Sequence, residues 1–157
     1  MPTALKLGLT ACEPGKLPRN QGPAVHGLFL AMLRDADAGL AGALHRGSGA
    51  QPFTLSPPYR PGGRPGCALS EVKAGDSLCV RLCILDDSLI QPVYGALLAA
   101  MRKPVRLCGC DFRFGSLRPE SAQTYEEMAH AAENREPPRR VRLNFLTPAR
   151  FQHEGRS

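Results

Sequence analysis

Along this chain the spacing of apolar residues switches between a period of two and a period near 3.6, and the order of the switches limits the folds open to it. Residues 3–12 (TALKLGLTAC) alternate apolar and polar, which predicts a half-buried strand. After the turn-rich EPGKLPRNQGP, Val25, Leu28, Phe29, Met32 and Leu33, then Leu40, Ala43 and Leu44, fall at helical spacing. The DAD at 35–37 interrupts that run, and Asp37 stands where it would cap a second short helix. Residues 52–58 (PFTLSPP) predict an extended segment, and the following YRPGGRPG a loop. A central strand is predicted at 77–86, a helix at 88–103 with Pro92 in its first turn, and a further strand at 105–117. A polar helix at 119–136 and a short strand at 141–148 complete the reading.

Strand, helix pair, strand, strand, helix, strand is the βαββαβ order of an α+β, ferredoxin-like domain with an antiparallel sheet. Such a domain is expected over residues 1–118, with helix and linker at 119–140. Residues 141–157 are then expected to be a basic tail or the first strand of a second, incomplete ferredoxin-like unit. A lone strand there would leave an unpaired edge that needs a partner.

At 157 residues the chain has the size of one ordinary domain, and no apolar run approaches the ~18 residues that span a bilayer. With no export signal visible at the N-terminus, a cytoplasmic protein is expected. Six cysteines are then read as reduced. Cys79 and Cys83, like Cys108 and Cys110, are an even number of residues apart in predicted strands, so each pair is expected to share a face and pack as small core hydrophobes. Their spacing is poor for zinc, and no metal site is expected. The net charge is +6, and residues 135–157 hold six arginines against two glutamates. A basic strip of this kind suits a phosphate backbone, and it equally suits a solvated face or a subunit contact.

His45 ends the second helical run and is followed by RGSGAQ. An imidazole at a helix C-terminus feels the negative pole of the backbone dipoles, which suits it to carry a proton. The same position also suits a histidine that merely caps terminal carbonyls. Arg46 and the exposed amides of the glycine turn are groups that hold phosphate. His26 opens the first helix on the turn that carries Lys16 and Arg19. No phosphate-binding P-loop, dinucleotide fingerprint, HExxH or Ser-His-Asp pattern is present.

The run from Lys16 to Pro58 resembles the sixth family of CRISPR-associated proteins, the endoribonucleases of the RAMP superfamily that process precursor CRISPR RNA. The resemblance rests on His26-Gly27-Leu28 in the first helix, Leu44-His45 at the end of the second, and Phe53-Thr54-Leu55-Ser56 in the strand that follows. A second match, VRLNFLTPARFQHEGR, lies near the end of the chain.

The resemblance implies cofactor-free, metal-independent cleavage of CRISPR repeat RNA by attack of a 2′-hydroxyl, leaving a cyclic phosphate and a 5′-hydroxyl. It places His45 on the family's catalytic histidine position, with His26, Arg46 and Gln51 as auxiliary candidates. Charge alone nominates Lys16, Arg19, Arg60, Arg64, Arg139, Arg140 and Arg142 as RNA contacts. Two positions depart from the pattern: Leu30 stands where some members have a tyrosine, and Gln51 where they have a lysine. These departures keep a second expectation open, a catalytically silent subunit that binds processed CRISPR RNA or helps assemble an effector complex. Family members usually carry two ferredoxin-like domains, so the chain is expected to be a truncated or split form, or one completed by a second subunit or fused domain. An unrelated ferredoxin-like interaction module is the third expectation.

Overall fold

The computed structural model describes residues 2–46, 51–63, 69–101, 103–133, 135–136 and 140. The side chain of Arg46, the glycine turn after it, Arg64, Arg139, Arg142 and the strand expected at 141–148 lie outside the described residues.

Strand β1 (Thr3–Ala11) turns its Leu5, Leu7, Leu9 and Ala11 inward. A two-residue strand β2 (Gly15–Lys16) follows, then helix α1 (Gly22–Ala36) with Pro23 in its first turn, where the missing N–H costs nothing. Asp37 separates α1 from α2 (Ala38–Arg46): its backbone is extended, and its Oδ1 accepts the N–H of Leu40 at 2.9 Å. The cap expected from the DAD sequence is thus in place. Next come β3 (Phe53–Leu55), β4 (Glu71–Val72), which pairs with β2, and β5 (Ser77–Ile84). Asp86 accepts from the amide of Ser88 at 2.9 Å and from its hydroxyl at 2.7 Å, starting a short 3-10 turn that runs into α3 (Ile90–Ala100). The Ser88 hydroxyl first, and its amide second, hold the Asp86 carboxyl below its ordinary range.

The segment 105–117 is not one strand. It is a hairpin of β6 (Pro104–Leu107) and β7 (Cys110–Ala122), joined by Cys108 and Gly109 with φ of 53° and 83°. Two consecutive residues at positive φ make the tight turn whose twist matches paired strands. The inward residues are Val105 and Leu107 before the turn and Cys110, Phe112 and Phe114 after it, so the alternation changes phase at Cys108-Gly109. Cys108 therefore sits in a turn and does not share a strand face with the buried Cys110. Cys79 and Cys83 do share a face, opposite Gly8 and Ala4 of β1; Cys79 is buried and Cys83 half-buried there, on the face away from the helix-covered core.

The polar helix is also shorter than expected. Residues through Ala122 remain paired with β1, and α4 spans Tyr125–Glu133. Its start is fixed by a reciprocal pair: the amide of Glu127 donates to Thr124 Oγ1 at 2.9 Å, and the amide of Thr124 to Glu127 Oε2 at 2.8 Å.

The main sheet runs β3-β5-β1-β7-β6, with every neighbouring pair antiparallel. The helices cover one face, where Leu33, Leu82, Leu97 and Phe112 are fully buried. Each such side chain contributes about 1.5–3 kcal/mol by leaving water. The other face is open and carries Lys6, Arg81 and Arg118. No helix among the described residues is long and apolar enough to cross a membrane.

Candidate functional site

Helices α1 and α2 pack side by side and leave a groove of about 400 Å³ between them. From α1 it is lined by Pro23, His26, Gly27, Leu30 and Arg34, in which 26, 30 and 34 form one i, i+4, i+8 stripe. From α2 it is lined by Ala38, Ala41, Gly42 and His45, a stripe at i, i+3, i+4, i+7. Glycine and alanine at 27, 38, 41 and 42 keep the walls low. Leu30, 6% exposed, supplies an apolar patch.

The two histidines of the sequence pattern line this one groove. His45 is exposed, next to last in α2, and not buried in apolar packing. His26 is half-buried, and its ring stacks on Phe53 of β3 with centroids 5.8 Å apart and planes 19° from parallel. Phe53 is itself wedged against Phe29, 4.8 Å between centroids. The FTL strand thus anchors one imidazole at the groove wall.

The other sequence candidates lie elsewhere. Lys16 belongs to β2, Arg19 to the connection into α1, and Gln51 is exposed two residues before β3. Arg140 is exposed, and none of these lines the groove. Arg60 donates to Asp76 at 3.1 Å, in the turn ahead of β5. The amide of Lys73, and then Arg60, hold the Asp76 carboxyl below its ordinary range.

Two features went unnamed in the sequence reading. Arg34 is one; its spacing from His26 was the available signal. The other is the open sheet face, where a hollow of about 420 Å³ is lined by Lys6, Thr10, Cys79, Ser116 and Arg118 among others. There Lys6 Nζ stands 5.7 Å from the centre of the Tyr59 ring, and Arg81 pairs with Glu120 at 2.6 Å. That hydrogen bond raises the pKa of Arg81, while burial is the main cause raising that of the Tyr59 hydroxyl. Among the described residues no group of three or more His, Cys, Asp or Glu side chains is placed to hold a metal ion.

No protein-family model matches the sequence, and no curated protein matches it. Solved structures do. A Thermus thermophilus Cas6 in a product complex is 32% identical, with a TM-score of 0.56 over 74% of this chain and 40% of its own. A second Cas6 product complex is 25% identical, with a TM-score of 0.51 over 77% of this chain and 40% of its own. A Cas6-related protein of Pyrococcus furiosus shares the fold, with a TM-score of 0.59 over 79% of this chain and 50% of its own, at 9% identity. The chain thus spans 40–50% of the length of these proteins. In backbone and, at 25–32% identity, in sequence, the chain is similar to about two fifths of these Cas6 proteins.

Proposed function

We propose that this chain is the histidine-bearing part of a metal-independent endoribonuclease that cuts CRISPR repeat RNA. The observation that carries the reading is the single groove lined by both His26 and His45. The Cas6 matched at 32% identity, whose structure is a product complex, supports it.

In the proposed reaction the 2′-hydroxyl beside the scissile phosphate gives its proton to a base, and its oxygen bonds to phosphorus. The bond from phosphorus to the 5′-oxygen breaks, and that oxygen takes a proton from an acid. The products are a cyclic phosphate and a 5′-hydroxyl. Two imidazoles in one groove supply both partners, with His45 as the principal proton-transfer residue and each well-placed group giving about 10²–10⁴ in rate.

We read β1–α1–α2–β3 and β5–α3–β7 as two units, each joining parallel strands that flank one antiparallel strand, the split βαβ arrangement of a ferredoxin-like domain. The domain then runs from β1 past the expected limit at residue 118 to the end of β7 at Ala122, and a second domain or subunit would complete the RNA cleft.

A second reading is favoured by Leu30, an aliphatic side chain in the groove that can neither give nor take a proton. It makes the chain a silent RNA-binding subunit. The test is incubation of labelled repeat RNA with the protein in chelator. Cleavage to a cyclic phosphate, lost by at least about 10²-fold in His45→Ala, fits the nuclease. Binding without cleavage selects the silent subunit, and no binding at low salt rejects both.

A further inference from the structure

We propose that Arg34 binds an RNA phosphate away from the one that is cut, so that the groove grips a short strand along its length. The proposal rests on the nuclease reading above and extends it to how the substrate is held.

Arg34 lies eight residues after His26 on the same stripe of α1, which at 1.5 Å per residue is about 12 Å along the helix axis. An arginine so far from the histidine end reaches a phosphate about two to four nucleotides along a strand. The lining between them, from Gly27 and Leu30 to Ala41 and Gly42, is small or apolar and leaves room for sugar and base.

Charge supports the assignment. No carboxylate lines the groove among the described residues. Three other cations are occupied: Arg60 by Asp76, Arg81 by Glu120, and Lys103 by Asp35 at 3.5 Å. Asp35 is the carboxylate next to Arg34 in sequence, and it turns to Lys103 beside α3. Arg34 is exposed and has no ion pair or hydrogen bond to a side chain among the described residues. A guanidinium without a carboxylate partner suits bidentate recognition of phosphate. The competing role is structural, since a cation in the last turn of a helix also complements its dipole.

The test compares wild type, Arg34→Lys and Arg34→Gln for binding to repeat RNA carrying a 2′-deoxy group at the cleavage site, which reads affinity without chemistry. Arg34→Gln is expected to weaken binding about tenfold at low salt and to reduce the salt slope by about 0.7, the value for one phosphate on a single strand. Arg34→Lys keeps the helix-end charge and is expected to recover part of the affinity. A methylphosphonate scan is expected to find one neutralised phosphate, displaced from the cut, that weakens wild type but not Arg34→Gln. On cleavable RNA the loss is expected to fall mainly on KM. Unchanged affinity and slope in Arg34→Gln, or a scan in which only the scissile phosphate matters, overturns the proposal. Wild-type binding without cleavage would instead overturn the nuclease reading and leave the Arg34 affinity comparison valid.

Discussion

At Gly15 in β2, an added Cβ would run into Cys110 Sγ, a buried atom from the start of β7. The glycine is there because the Cys110 side chain packs where its Cβ would stand, not because its φ demands it. Gly15→Ala is expected to cost about 1–3 kcal/mol in urea denaturation, since the sulfur has little room to move aside. Adding Cys110→Ala to the same chain is expected to restore most of the loss; a Gly15→Ala variant as stable as wild type would show that the contact yields. Single residues also mark what was legible in the site. His45 and His26 stood out in the sequence by residue type and position. Lys16, Arg19 and Arg60 were nominated by charge, which has no direction, and the fold sends Arg60 to Asp76 instead.

Helix α2 carries His45 at one end, and Asp37 caps the other. Asp37→Ala removes the oxygen that accepts the Leu40 amide and is expected to lower stability by about 1 kcal/mol, while Asp37→Ser or Asp37→Asn keeps most of it. Urea midpoints at constant m check this; equal midpoints for all four proteins would deny the cap its role. The cap was readable because DAD breaks an apolar stripe at a residue that favours helix starts. The β6–β7 hairpin was not read, because its turn is only Cys108-Gly109 and the alternation on either side continues with a shifted phase. Alternation gives a face, whereas a change of phase gives a turn. The Thr124–Glu127 pair was likewise a T-x-x-E start signal, overlooked because helical composition begins several residues earlier. The groove needed the pairing of α1 with α2, which neither helix announces alone.

Across the whole molecule, protection is expected to follow the sheet outward. β1 is paired on both sides, and α4 buries none of its residues, docking through Tyr125, whose hydroxyl donates to the Leu85 carbonyl at 2.7 Å. Hydrogen exchange read by mass spectrometry is expected to be slowest in β1 and fastest in α4 among these elements. Comparable protection of the two would mean that α4 is held by more than the structure accounts for. The central position of β1 has one more consequence, for synthesis. Strand β1 is synthesised before both of its neighbours, β5 and β7, so it must wait in the nascent chain until Ile84 and then Ala122 have cleared the exit tunnel. During that interval β1 has no native partner, and its inward face stands open to any competing edge.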